Sequence, residues 1–144
     1  MGTLDILWAI GNAALNGKNA VWVFQTIAGG LFHRATYDGG LRTALIGMVI
    51  HYFIAGSVVT FFYLVSRKAP ILLDRPWVFG PIYGLGVYLF MQLVVLPAAK
   101  WGGGLKPGIG MVKAIFIHMA CVGLVTALIV RKGPLPAPVS RQGA

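Results

Sequence analysis

The sequence is poor in charge and poorest in acidic residues. Only 10% of its 144 residues are charged, with 12 lysines and arginines against 3 acidic residues. A soluble domain carries about 25% charged residues to cover its surface. This shortfall, together with 58% hydrophobic residues, excludes an ordinary water-soluble domain and indicates that lipid surrounds much of the protein.

Cysteine is almost absent as well. Cys121 is the single cysteine, so neither an intrachain disulfide nor a paired-cysteine metal site can form. The first residues lack the basic region and the cleavage site of a signal peptide, and we expect none. Basic residues stand singly or in pairs between apolar runs, whereas nucleic-acid binders gather them on one face. We therefore expect no nucleic-acid partner, and membrane lipids with anionic headgroups as the natural neighbours.

The sequence instead contains long apolar segments with few or no charged residues. Three of them, at about residues 41–66, 76–98 and 108–131, exceed the roughly 20 residues that a helix needs to cross a ~30 Å hydrocarbon core. Each run therefore predicts a membrane-spanning helix.

Two shorter runs precede them. Residues 3–17 are predicted as a short first span, and residues 20–33 as a helix lying in the membrane interface. Proline-rich residues 133–144 are predicted to form a disordered tail. The predicted fold is all-α: a polytopic membrane helix bundle over residues 1–132, with four spans plus a short interfacial helix after the first.

The basic residues divide evenly between the two sides of such a bundle, so their number leaves the orientation open. One side carries the paired cations Arg67-Lys68 and Arg131-Lys132 at helix ends. These pairs predict that this side faces the cytoplasm and that both termini of the chain lie on it.

Each of the three long spans carries a stripe of small or polar residues at i, i+4 spacing. Small residues let helices approach closely in lipid, and polar residues hydrogen-bond across them. We expect these stripes to face the interior of the bundle. The helix-packing candidates are Gly47, Ala55, Gly80, Gly84, Gly110 and Ala114.

Ionisable and polar residues fall at a common predicted depth. Counting 1.5 Å per residue from the helix ends places Asp5, His51, Tyr88 and His118 about 15–18 Å down, near the midplane. Gln92 follows Tyr88 on the same stripe. Such residues are costly in lipid and usually pair with one another. We expect a buried polar layer in which Asp5 bonds a histidine and Tyr88 closes the network.

Three functions are open for this layer. We favour a structural or accessory membrane protein that packs against a second copy or a membrane-protein partner. The alternative is a small proton- or solute-linked transporter or channel, because midplane ionisable residues often mark such pathways. A second alternative is a bis-histidine haem module with His51 and His118 as ligands. No nucleophile pattern or phosphate loop is present, so we expect no enzyme, no catalytic residue, no metal and no cofactor.

Several segments of the sequence resemble small bacterial inner-membrane proteins: residues 2–6, 23–30, 51–52, 63–67, 75–76, 80–88, 94–97 and 118–131. The chain is also distantly similar to the YagU-type family, whose function is unknown. That family has a similar histidine-bearing helix, a glycine-rich helix ending in proline, and a final histidine-bearing helix before a basic end. The resemblance implies four spans in a bacterial cytoplasmic (inner) membrane and no particular activity.

Overall fold

The computed structural model describes residues 1–102 and 104–133, and within these ranges it is helical, with no strand. The predicted tail, 133–144, lies outside the described residues except for Gly133. In chain order the helices are α1 (Gly2–Ala14), α2 (Ala20–Phe32), α3 (Gly40–Lys68), α4 (Ile71–Asp74), α5 (Pro76–Ala98) and α6 (Ile109–Lys132).

Helices α3, α5 and α6 are long and apolar enough to cross a membrane, with mean hydropathies of 2.0, 1.7 and 2.1 in their most apolar windows. Their 29, 23 and 24 residues reach about 43, 34 and 36 Å at 1.5 Å per residue, against a hydrocarbon core of ~30 Å. The three long predicted segments are thereby confirmed as helices that could cross a membrane. The chain is a multi-pass membrane protein.

Helices α1 and α2 have 13 residues each and reach only about 20 Å. The predicted first span, 3–17, ends at Ala14 because the chain turns at Gly17, whose φ is +69°. That left-handed conformation favours glycine. Helix α2 begins where Asn19 accepts a hydrogen bond from the backbone N–H of Trp22, which satisfies a free donor of the first turn. A fourth complete span is not confirmed.

A polar corner joins α2 to α3 through the 3-10 turn His33–Tyr37. The buried hydroxyl of Thr36 donates to the carbonyl of Gln25, at 2.8 Å. The Gln25 amide donates to the Gly40 carbonyl at 3.0 Å, and the Thr43 hydroxyl donates to the carbonyl of Thr36 at 2.6 Å. Because each donor ends on a backbone carbonyl, these side chains are satisfied without water.

Helices α5 and α6 meet backbone to backbone at three glycines. A Cβ at Gly80 would lie 2.7 Å from Leu124 Cα, and one at Gly84 would lie 2.8 Å from Met119 Cα. On the facing helix, a Cβ at Gly123 would lie 2.8 Å from Gly84 Cα. No side chain fits at these distances, so the three glycines set the spacing of the pair, as small residues do in lipid.

Both helices contain a π-helical segment, Met91–Val95 in α5 and His118–Leu124 in α6. A π segment places one extra residue in the turn and so rotates the face that follows it. The α6 segment lies directly against Gly80 and Gly84. The last part of α6 then packs on α3 and α4, with Phe62, Leu73, Ala127 and Val130 forming a buried cluster.

Replacing Gly84 with alanine should weaken the α5–α6 contact, because the new methyl group would meet the backbone of His118 and Met119. Overpacking of this kind costs about 1–3 kcal/mol, which thermal or denaturant unfolding in detergent can measure. Gly56→Ala is the matched control, since nothing lies within 4 Å of that position in the middle of α3. Equal free energies of unfolding for the two variants would show that Gly84 does not set the α5–α6 contact.

Candidate functional site

His51 lies near the middle of α3 and binds the start of α1. Its Nε2 is 2.9 Å from the carbonyl oxygen of Gly2. Because a carbonyl only accepts, the ring nitrogen donates. The hydroxyl groups of Thr3 and Tyr52 are 3.5 Å apart beside it, and the rings of His51 and Tyr52 meet edge to face at 5.3 Å. The imidazole therefore attaches α1 to α3.

His118 begins the π segment of α6 and contacts a residue of α5. Its ring lies edge to face against Tyr88, with 5.3 Å between centroids, and its Nδ1 donates to the Ala114 carbonyl at 2.9 Å. Tyr88 is buried, whereas His118 is half-buried. The structure thus brings these two predicted layer residues together.

The remaining members of the predicted layer are not joined to them. Within residues 1–102 and 104–133, no hydrogen bond links Asp5 to a histidine, and no hydrogen bond or ring contact links His51 to His118. The predicted bond from Asp5 is therefore wrong. Gly2 lies one helical turn before Asp5, at the level of His51, so the ring meets a backbone carbonyl and not the carboxylate. Among the residues that the structure describes, the side chain of Gln92 makes no hydrogen bond to either histidine, and only its backbone carbonyl accepts from the Gly104 N–H, at 2.8 Å.

The predicted packing residues divide in a similar way. Gly47 is buried where a Cβ would overlap the Phe24 carbonyl of α2, and Ala55 lies against Gly2. Gly80 and Gly84 form the α5–α6 contact described above. Gly110 is exposed, and nothing lies within 4 Å of where its Cβ would stand, so its assignment to a packing stripe is wrong. Its place is in the first turn of α6, before the helix reaches α5. Ala114 is half-buried and accepts from His118.

A large apolar groove, which we call the α3–α5 groove, opens between the two helices with a volume of about 760 Å³. Its α3 wall includes Phe53, Ser57 and Phe61, and its α5 wall includes Ile82, Gly86 and Phe90. The four large side chains among these are each more than half exposed. The volume lies within the ~300–1,000 Å³ typical of ligand sites.

The hydroxyl groups that line the α3–α5 groove are already hydrogen-bonded. Ser57 donates to the Phe53 carbonyl at 2.9 Å within α3. Tyr83 donates to the Val58 carbonyl at 2.7 Å and so bridges α5 to α3. With both hydroxyl groups satisfied inside the protein, the groove suits a hydrocarbon occupant better than a polar solute.

An aromatic cluster at the other end of the bundle fixes the segment after α5 onto α2. The indole Nε1 of Trp101 donates to the Thr26 carbonyl at 2.9 Å, and its ring fills the space left by the missing side chain of Gly29. Tyr37 lies between Trp101 and Trp22, at 6.3 and 6.2 Å between ring centroids. Lys18 Nζ lies 5.5 Å from the ring centroid of Trp22.

Buried Thr126, in the last part of α6, has a hydroxyl with no hydrogen-bond partner among the described residues. A helical threonine usually donates to the carbonyl four residues before it. Here that residue is Val122, within the π segment, where the carbonyls bond one position further along. We attribute the unpaired hydroxyl to this shift.

Sequence reasoning did not identify the α3–α5 groove or the position of Trp101. The groove does have a signal in the sequence, since the small residues Ser57 and Gly86 interrupt helix faces that are otherwise bulky. The pairing of Trp101 with Gly29 has none, because the two residues belong to segments far apart in the chain.

No three histidine, cysteine, aspartate or glutamate side chains are grouped so that they could hold a metal ion in the part of the chain that the structure describes. Comparison with family models, curated proteins and solved structures gave no match to this chain.

Trp101→Phe should loosen α2, because it removes both the donor to the Thr26 carbonyl and the part of the indole that lies over Gly29. One hydrogen bond contributes about 0.5–1.5 kcal/mol, and hydrogen–deuterium exchange of the α2 amides should rise accordingly. Trp77→Phe is the control, since Trp77 is 68% exposed at the start of α5. Unchanged exchange in the Trp101 variant would show that the indole does not hold α2.

Proposed function

We propose that the protein is a non-enzymatic structural or accessory component of a membrane, and that its polar layer serves the fold. The hydrogen bond from His51 to the Gly2 carbonyl supports this most directly, because it uses the imidazole to hold α1 against α3. A buried polar group that is already bonded inside the protein stabilises the bundle and needs no substrate.

A transport pathway would need a cavity that brings water to the histidines. The two cavities described between and beside the helices are lined by neither His51, Tyr88 nor His118. A haem module would need both imidazoles turned to one iron, whereas the His51 Nε2 donates to Gly2. These observations favour the structural function over both alternatives.

The arrangement in the membrane is part of the proposal. The aromatic cluster of Trp22, Tyr37 and Trp101 beside Lys18 is typical of the headgroup level, which supports α2 as an interfacial helix. Helix α1 would be a short fourth membrane segment, from the level of His51 to the face where α3 begins. We propose that the membrane is a bacterial inner membrane and that the Arg67-Lys68 end is cytoplasmic, with both termini towards that side. The resemblance to the YagU-type family stays a prediction.

The test is proton flux in liposomes. Protein reconstituted with an interior pH dye and a potassium–valinomycin potential should give the same rate of acidification as protein-free liposomes. A flux that the protein produces, and that His51→Ala or His118→Ala abolishes, would overturn the structural assignment in favour of a pathway.

Stability supplies the complementary measurement. His51→Ala should lower the free energy of unfolding in detergent by about 1 kcal/mol, the net value of one hydrogen bond, because α1 loses its attachment to α3. Thr60→Ala, at an exposed polar position of the same helix, is the control and should change little. If His51→Ala leaves stability at the level of this control, the imidazole has no structural role.

A further inference from the structure

The α3–α5 groove lies across the middle of the bilayer. On α3 its lining runs from Phe53 to Phe61, which places it about 10–22 Å from the end of the helix at Lys68. On α5 the lining runs from Ile82 to Val95, about 9–28 Å from Pro76. Its nearer end therefore lies about 10 Å from the helix ends at Lys68 and Pro76, within reach of an acyl chain that enters from the leaflet on that side.

The helix ends above the groove are basic. Arg67 and Lys68 are the last two residues of α3, Arg75 directly precedes α5, and all three are exposed. Asp74 is the one acidic residue of the α3–α5 connection. The headgroup region of a leaflet is ~5–8 Å deep, and lysine and arginine extend towards it from helix ends. The cations are thus placed at the height of the phosphate of a lipid whose chain lies in the groove.

We propose that the α3–α5 groove binds an acyl chain of an anionic phospholipid, whose phosphate contacts Arg67, Lys68 and Arg75. The inference deepens the proposed function, on which it rests, by naming the membrane component that the protein holds. Two observations carry it: the groove is apolar with its hydroxyl groups already bonded, and the helix ends about 10 Å from it carry three cations against one carboxylate. A transmembrane helix of a partner would match the apolar wall but would have no need of the cations.

Native mass spectrometry of delipidated protein in detergent tests the proposal, with phosphatidylglycerol and phosphatidylcholine of identical chains as the probes. Phosphatidylglycerol should bind the unaltered protein more tightly. The double variant R67Q/K68Q should weaken its binding about five-fold per removed cation, which corresponds to ~1 kcal/mol each. Phosphatidylcholine has the same phosphate beside a choline cation and no net charge, so its binding should fall by less. The matched control K100Q/K106Q removes the same charge at the opposite end of the bundle.

The groove itself is tested with Gly86→Leu, which fills it from the α5 wall. Nothing lies within 4 Å of a Cβ at Gly86, so the fold should be kept. Binding of both lipids should fall at least five-fold. Gly56→Leu is the control, since that glycine is equally open but lies on α3 outside the α3–α5 groove.

Equal lipid binding by the Gly86 and Gly56 variants would overturn the proposal, as would equal binding by the two charge variants. Loss of a dimer in Gly86→Leu, with lipid binding unchanged, would assign the groove to a second copy instead. Proton flux from the same preparations would contradict the proposed function without touching the lipid site, so the two failures can be told apart.

Discussion

The close approach of α5 to α6 is the constraint on which the rest of the bundle depends. Gly80, Gly84 and Gly123 let the two backbones touch, and one methyl group at any of them would meet backbone atoms of the other helix. In lipid no hydrophobic force draws helices together, so this contact area must supply the attraction. Tyr88 and His118 face each other because the glycines next to them hold the helices at this distance.

The same contact determines which surfaces stay open. With α5 held against α6, its opposite face turns towards α3, and the backbones of α3 and α5 are not closely packed. Tyr83 reaches across the gap to Val58. The α3–α5 groove is therefore a consequence of how tightly α5 packs on its other side. The α2–α3 corner, fixed by Gln25, is independent of this pair.

Much of the architecture could be predicted from composition alone. Hydropathy identifies α3, α5 and α6 to within two residues at each end, because long uncharged runs have few other uses. Spacing also identified Gly80 and Gly84. It failed for Gly110, which lies in the first turn of α6 before that helix reaches α5. It overlooked Gly123, since counting i, i+4 from the start of α6 assumes an uninterrupted α-helix. The π segment rotates the face and brings Gly123 towards α5.

The site was less predictable than the fold. Counting residues to estimate depth in the membrane correctly predicted that Tyr88 lies near His118. Depth does not determine which group an imidazole will bond, and His51 donates to the Gly2 backbone carbonyl where Asp5 was expected. The bridge from Tyr83 has a mechanical consequence as well. One hydrogen bond fixes α3 to α5 at a single height, so any change of tilt between these helices pivots there. Residues 69–75 also join the two helices at one end, so their separation must vary least between that connection and Tyr83 and most towards the opposite end.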